Sequence, residues 1–156
     1  MISRLCWLTL FAAGNVSFGF AGGGPENVML VVNRRSGSSL AIANHYQQLR
    51  QSPDSNVVYL DWYGDINATT IDAFRDKILT PILTTIDKRK LSNQIDYIIY
   101  SSDFPYAVNF DKEVPGDKFS KGSITGLTYL TPLVMAKTSY SGETMNWYMR
   151  MVSPAG

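Results

Sequence analysis

Thiol and imidazole groups are scarce in this chain of 156 residues, which has a single cysteine, Cys6, and a single histidine, His45. Cys6 lies in the apolar N-terminal segment described below, so a mature chain cleaved near Ala21 contains no thiol. Such a chain forms no disulfide, binds no metal through sulfur and uses no cysteine nucleophile. A zinc site of the usual nitrogen and sulfur type is therefore disfavoured, whereas a hard-cation site built from oxygen atoms stays open.

A charge excess of either sign is missing as well. Lys and Arg together number 14, Asp and Glu number 13, and the basic residues are dispersed along the chain. The densest basic cluster, Asp87–Lys90, is typical of the solvated end of a helix. Nothing in this charge pattern favours binding to nucleic acid or to an anionic membrane surface.

Long apolar runs are also lacking, and no later segment reaches the roughly 20 residues that a transmembrane helix needs. Residues 1–21 have a positive start, "MISR", a short apolar run, "LCWLTLFAA", and the small-x-small triplet "GFA". This layout predicts a secretory signal peptide over residues 1–21, with a buried N-terminal helix as the alternative. Residues 22–156 are then expected to form a secreted, periplasmic or envelope-associated domain without a transmembrane segment.

Three apolar segments rich in β-forming residues predict strands at Val28–Val32, Val57–Trp62 and Ile95–Tyr100. The segments between them have helical spacing. Alternation of strand and helix predicts an α/β fold, in which a mostly parallel sheet carries helices on both faces. Rossmann-like, flavodoxin-like and caspase-like layouts all fit this order of elements.

The first predicted helix follows the turn after Val32. Ile42, Tyr46 and Leu49 fall at i, i+4 and i+7, which predicts one buried stripe. Ser38 or Ser39 is expected to cap its N-terminus, because a serine hydroxyl accepts from the exposed backbone N–H groups of the first turn.

The second predicted helix begins after the loop "GDINATT", with Thr70 as its expected cap. Pro81 is expected to kink or split this helix, since proline has no N–H and clashes with the carbonyl four residues back. Five apolar residues keep helical spacing and predict its buried stripe: Ile71, Phe74, Ile78, Ile82 and Ile86.

The alternation of predicted strands and helices is less clear after the third strand. The segment from Ser101 to Ser123 is predicted to be a long polar loop. The apolar residues of Ser123–Lys137 have helical spacing again, and Pro132 is expected to end or bend that helix. The tail that follows is rich in aromatic residues and methionine but contains no evident closing element. We therefore expect the chain to be the N-terminal portion of a longer protein, truncated at its C-terminus.

The turn "NRRSGSSL" between the first strand and helix raises the question of phosphate binding. Phosphate loops need glycines in patterns such as GxGxxG or GxxxxGK[ST], and this turn has only Gly37. Arg34, Arg35 and the open N–H groups of a helix start would suit an anion. The alternative, a capped turn with two solvated arginines, is favoured because every α/β unit presents a helix N-terminus.

Polar residues follow each predicted strand, at the edge where ligands of open α/β sheets bind. Carboxylates gathered there could hold Mg²⁺ or Ca²⁺ or act as an acid/base pair. Alternatively, Asp and Ser simply favour loops and helix caps. The candidate ligand-binding residues are Asn33, Arg34, Ser101, Ser102 and Tyr106, and the candidate catalytic residues are Asp61, Asp103 and His45.

His45 borders the predicted buried stripe of the first helix. A lone histidine on a helix is more often a packing or surface residue than a catalyst, since general-base work also requires a positioned partner. The segment "SSDFP" occupies the place where caspase-like peptidases carry a catalytic residue, but it contains neither histidine nor cysteine. No G-x-S-x-G elbow supports a serine hydrolase.

Several segments resemble an uncharacterised bacterial family. They are "ENVMLVVNRRSGSSLAIANHYQQLR", "NVVYLDW", "ILTPILTTI", "QIDYIIYSSDFPYAVNF", "GSITGLTYL" and "NWYMR", and together they span about residues 26–150. Members of that family carry signal peptides and occur, notably in planctomycetes, in genomes that encode the exosortase protein-sorting system. The resemblance implies a secreted or envelope location, a longer full-length protein and an association with surface sorting. It transfers no catalytic residue.

The function expected from the sequence is ligand binding or surface assembly by a secreted or envelope-associated α/β domain, with a cell-surface partner. The alternative is a hydrolase-like enzyme with a carboxylate-based site at the carboxyl edge of the sheet. No cofactor is indicated beyond the divalent cation that these carboxylates would suit.

Overall fold

A computed structural model describes residues 23–115 and 120–138. The strands are β1 Val28–Asn33, β2 Val57–Leu60, β3 Ala68–Thr70, β4 Tyr97–Tyr100, β5 Ala107–Asn109 and β6 Lys121–Ser123. The helices are α1 Gly37–Arg50, α2 Ile71–Phe74, α3 Thr80–Lys88, α4 Ile124–Tyr129 and α5 Thr131–Ala136, and a π-helical turn, Arg75–Leu79, joins α2 to α3. Single 3₁₀ turns, Pro25–Asn27 and Asp54–Asn56, precede β1 and β2.

The three predicted strands form one parallel sheet in the order β2-β1-β4. Leu30 of β1 lies opposite Val57 of β2, and Val28 lies opposite Tyr97 of β4. All six residues of β1 are buried, which explains its unbroken apolar run, because a central strand is covered on both faces. The predicted α/β fold with a parallel sheet is confirmed.

Helices cover both faces of this sheet. Alternate residues of β1 face opposite sides, so Leu30 and Val32 pack with Ala43 of α1, while Met29 and Val31 join a second cluster. That second cluster is the larger one, and it contains the buried side chains of α2, the π turn and α3. Since β1 is central, with its two neighbours reached by crossovers on opposite faces, the chain reverses its winding direction between β1 and β4.

The predicted buried stripe of α1 is wrong for two of its three residues. Ile42 is 50% exposed and Leu49 is 70% exposed, whereas Ser39 and Ala43 are buried. The helix is rotated so that these two small side chains face β1, since Ser39 accepts a hydrogen bond from the Asn33 N–H. The predicted cap is wrong too: the hydroxyl of Ser36 accepts from Ser39 N at 3.0 Å.

The predicted cap and buried stripe of the second helix are confirmed. Thr70 caps α2 by accepting from Ala73 N at 3.2 Å, and the five residues of the predicted stripe are all buried. Pro81 does not split the helix: the backbone runs without a break from α2 through the π turn into α3, with helical dihedral angles at both junctions. The π turn lies directly before α3 and accommodates the proline, which has no N–H to donate.

A second sheet is present that the sequence pattern did not predict. Its order is β3-β5-β6, with β3 parallel to β5 and β6 antiparallel to it. The segments "GDINATT" and Ser101–Ser123, both predicted as loops, therefore contain short strands. Pro132 lies in the first turn of α5, and the predicted helix Ser123–Lys137 is broken into α4 and α5 at Leu130.

The predicted signal peptide, residues 1–21, and the tail after residue 138 lie outside the described residues. Of the helices in the described part of the chain, none has the length and apolarity required to cross a bilayer.

Candidate functional site

Three loops meet at the carboxyl edge of the parallel sheet, and the side chain of Asn33 joins them. Its Nδ2 donates to the carbonyl of Asp103 at 2.9 Å and to that of Trp62 at 3.4 Å. Its Oδ1 accepts from Arg35 N at 3.1 Å and from Trp62 N at 3.4 Å. Asn33 is 4% exposed, so this candidate ligand-binding residue acts as an internal clamp between the loops that follow β1, β2 and β4.

Serine hydroxyls extend the clamp toward α1. Ser39 Oγ, which accepts from Asn33 N at 2.9 Å, is hydrogen-bonded to Ser101 Oγ. Ser36 Oγ, the cap of α1, donates to a carboxylate oxygen of Asp103. These contacts fix the loop after β4 against the first turn of α1.

The Asp103 carboxylate therefore lies at the cap of α1, where a negative charge is stabilised by the helix dipole. This arrangement answers the question of phosphate binding at the turn, because the chain supplies its own anion there. Asp103 also has a positive φ of 64°, a conformation that aspartate and asparagine tolerate better than most residues.

Arg34 and Asp61 form an ion pair at the surface. Arg34 Nη1 lies 3.6 Å from Asp61 Oδ2, with the side chains 59% and 45% exposed. The Arg34 guanidinium also lies 5.9 Å from the Tyr59 ring, and that of Arg35 lies 4.5 Å from the Tyr63 ring. Exposed pairs of this kind contribute little to stability.

The three candidate catalytic residues are not joined to one another. His45 is exposed on α1, and its side chain makes no hydrogen bond or ion pair with the residues that the structure describes. Asp61 is paired with Arg34 and Asp103 with Ser36, and no hydrogen bond within the described ranges links the two carboxylates. Over those same ranges, no group of three or more His, Cys, Asp or Glu is placed to hold a metal ion.

A cavity of about 220 Å³ opens beyond the carboxyl end of β4. It lies between the two sheets, because its walls combine the loop after β4 with residues that flank β3, β5 and β6. This is the side of β1 on which the chain reverses its winding, where ligands of open α/β sheets bind. The lining residues are Ile66, Tyr100, Ser101, Ser102, Asp103, Phe104, Pro105, Tyr106 and Ile124.

Four of the predicted site residues line this cavity: Ser101, Ser102, Asp103 and Tyr106. The sequence reasoning missed Ile66, Tyr100 and Ile124 as lining residues. Tyr100 could have been recognised from the sequence, since it ends an apolar strand at the carboxyl edge of the sheet, where a ligand site was expected. Ile66 and Ile124 carried none, because they reach the cavity through the unpredicted second sheet.

Ser102 is unusual among the lining residues. Its Oγ is buried and has no hydrogen-bond partner within the described part of the chain. A buried hydroxyl without a partner costs stability, and such groups in folded proteins call for an explanation. A Ser hydroxyl moves between staggered positions by rotation about χ1, so it can meet a bound group in the cavity.

Tyr100 gives the cavity a measurable pH signature. Burial raises the pKa of its phenol from 10.0 to about 12, while the hydrogen bond with Thr128 opposes part of that rise. The folded state binds this proton more tightly than the unfolded state does. The stabilisation that Tyr100 contributes is therefore fully present below pH 10 and is lost as the pH rises to about 12. Urea unfolding followed between pH 9 and pH 12 should show this decline. Tyr100→Phe should flatten it, and an equal decline in that variant would contradict the assignment.

Comparison of the chain with protein-family models, with curated proteins and with solved structures finds no match.

Proposed function

We propose that this chain is a ligand-binding domain whose site is the cavity at the end of β4. The observation that carries the proposal is a cavity lined by aromatic, aliphatic and hydroxyl side chains at the point where the winding reverses. Ligand pockets are mostly apolar, with a few polar groups that fix orientation, and this lining has that character.

The walls of the cavity are held in place before any ligand binds. Asn33 fixes the backbone at Asp103, and Ser39 and Ser36 hold Ser101 and the Asp103 carboxylate. Preorganisation of this kind favours binding, since less conformational freedom is lost when the ligand enters.

The size of the cavity indicates the size of the bound group. A cavity of about 150 Å³ accepts benzene, so one of about 220 Å³ accepts a single ring or a branched group of similar bulk. A larger ligand would place one such group in the cavity and leave the rest on the surface near Tyr106, which is 73% exposed.

The hydrolase-like alternative has less support. A general base works within hydrogen-bond reach of a partner or of its substrate, directly or through one water. Asp61 and Asp103 are each paired elsewhere, with Arg34 and Ser36, and His45 contacts neither carboxylate within the described residues.

The location that goes with this proposal is secreted or envelope-associated. It is supported by the signal-peptide pattern of residues 1–21 and by the resemblance to the exosortase-associated bacterial family. Within that setting the ligand would belong to the cell surface or to the surrounding medium, and surface assembly remains part of the proposal through the resemblance.

Two serines provide a matched test of the site. Ser102 and Ser52 both have a buried Oγ without a partner among the described residues, but only Ser102 lines the cavity. Each change to alanine should raise the free energy of unfolding by about 1 kcal/mol, because an unsatisfied hydroxyl is removed. Only Ser102→Ala should weaken the binding of small single-ring compounds, measured by amide chemical shifts in NMR titrations.

The expected shifts in the unmodified chain are confined to Ile66 and residues 100–106. The proposal is overturned if a panel of neutral, cationic and anionic single-ring compounds shifts none of these amides. A loss of stability in Ser102→Ala would also count against it, since the hydroxyl would then have a partner inside the folded chain.

A further inference from the structure

The described residues that line the cavity are aromatic and acidic but not basic. Three aromatic rings, those of Tyr100, Phe104 and Tyr106, share its lining with the carboxylate residue Asp103. No lysine, arginine or histidine is among its lining residues in the described part of the chain. The residues that line the cavity are therefore aromatic, aliphatic and acidic, and an anion bound there would have no cationic residue in the described lining to balance it.

Two of the rings, those of Tyr100 and Phe104, pack edge to face, and this pair is called the aromatic corner below. The centroids of Tyr100 and Phe104 are 5.4 Å apart, and the ring planes meet at 64°. In this edge-to-face arrangement the two rings present surfaces in different directions, so a compact group can contact more than one ring. Phe104 is buried, and the Tyr100 hydroxyl is hydrogen-bonded to Thr128 Oγ1. The aromatic corner is therefore in place before a ligand binds.

Tyr106 provides the outer ring. Its side chain is 73% exposed, and its backbone N–H donates to the Ile66 carbonyl at 2.8 Å, so the loop that carries it is anchored. Burial of an exposed tyrosine is a common source of binding energy, because tyrosine offers a large rigid surface at a low cost in conformational entropy.

We propose that the cavity binds an alkylammonium group, an inference that rests on the ligand-binding function proposed above. The negative face of an aromatic ring attracts a cation, and sites for quaternary ammonium groups are built from several such rings. Asp103, whose carboxylate accepts from Ser36 at the cap of α1, is the acidic residue of the lining, and its neighbour Ser102 has a hydroxyl without a partner among the described residues. The aliphatic walls, Ile66 and Ile124, suit the methyl groups that surround such a cation.

Choline and its uncharged isostere 3,3-dimethylbutan-1-ol separate charge recognition from shape. Both probes have the same branched bulk, so the difference between their affinities reports the cation–π and carboxylate contributions. We expect choline to bind about tenfold more tightly, measured by amide shifts of residues 100–106 in NMR titrations. A parallel titration with butylammonium shows whether the natural source is a quaternary or a primary ammonium, and tighter binding by either than by the neutral alcohol supports the proposal.

Asp103→Asn removes the charge with little disturbance of the loop. Asparagine accepts the same hydrogen bond from Ser36 and suits a φ of 64°. The variant should weaken choline about fivefold and leave the neutral alcohol unchanged. Asp87→Asn is the matched control, since it removes the same charge from the last turn of α3, and Arg89 directly after that helix donates to Val57 O at the start of β2, at the opposite end of the sheet.

Tyr106→Leu tests the rings, because it keeps an apolar side chain and removes a π-face. Choline should lose affinity while 3,3-dimethylbutan-1-ol does not. Equal binding of choline and the alcohol, or tighter binding of benzoate, would overturn the alkylammonium proposal while leaving the cavity as a ligand site. Failure of every probe to shift residues 100–106 would overturn both proposals together.

Discussion

Replacement of Asn33 by alanine is expected to lower the free energy of unfolding by about 3 kcal/mol. The side chain is 4% exposed, so water cannot readily replace the hydrogen bonds that it makes. Its removal leaves the N–H groups of Arg35 and Trp62 and the carbonyls of Trp62 and Asp103 without this partner. Urea denaturation followed by far-ultraviolet circular dichroism measures the loss.

Two variants separate the clamp from the general effect of losing a buried amide. Asn33→Asp keeps an acceptor for the two N–H groups but sets a carboxylate oxygen against two carbonyls, so its loss should at least equal that of alanine. Asn56→Ala removes the side chain of another buried asparagine, and among the described residues that side chain bonds only to Glu26 O and Ser55 Oγ. It should cost about 1.5 kcal/mol. Equal losses for Asn33→Ala and Asn56→Ala would contradict the three-loop account.

The role of Asn33 shows where sequence reasoning stops. Its position at the end of β1 was predictable, since a continuous apolar run followed by polar residues marks the carboxyl edge of a buried strand. Its use as a clamp was not predictable, because the partners at Trp62 and Asp103 are 29 and 70 residues away along the chain. In the structure this predicted ligand-binding residue holds the loops after β1, β2 and β4 together.

The rotation of α1 has a similar cause. Helical spacing is satisfied by the stripe through Ile42 and Leu49 and equally by the one through Ser39 and Ala43, and hydrophobicity favours the first. The fold uses the second, since Ser39 bonds to the backbone of β1 and Ala43 packs closely on the sheet. A buried serine engaged in a tertiary hydrogen bond cannot be recognised from apolar periodicity.

The second sheet escaped prediction because each of its strands has only three residues. Such segments are too short to show alternation of apolar and polar residues, and their pairing is entirely long-range. The consequence for the site is direct. The wall that carries Ile66 and Ile124 depends on this sheet, so the sequence predicted one side of the cavity and missed the other.

Arg75, a buried cation in the π turn, ties α5 and the segment after β5 to the main core. Its Nε donates to the Val134 carbonyl at 2.9 Å, and its Nη2 donates to Glu113 Oε1 at 2.7 Å. Asp72 adds a weaker contact at 3.2 Å. The guanidinium thus links α5 and the segment after β5 to the helix that packs on the parallel sheet.

Arg75→Met should therefore lower the free energy of unfolding by about 4 kcal/mol, since it removes an ion pair with the Glu113 carboxylate in which both side chains are largely buried, 7% and 14% exposed. Arg34→Met is the matched control: its ion pair with Asp61 is exposed, and its loss should stay below about 1 kcal/mol. Adding Glu113→Leu to Arg75→Met should restore part of the stability, because the largely buried carboxylate that has lost this guanidinium is replaced by an apolar side chain. Equal losses in Arg75→Met and Arg34→Met, measured by urea denaturation, would show that Arg75 does not connect the two parts of the fold. In the expected case, the segment between β5 and β6, which joins two strands of the second sheet, is held to the main core by this buried guanidinium.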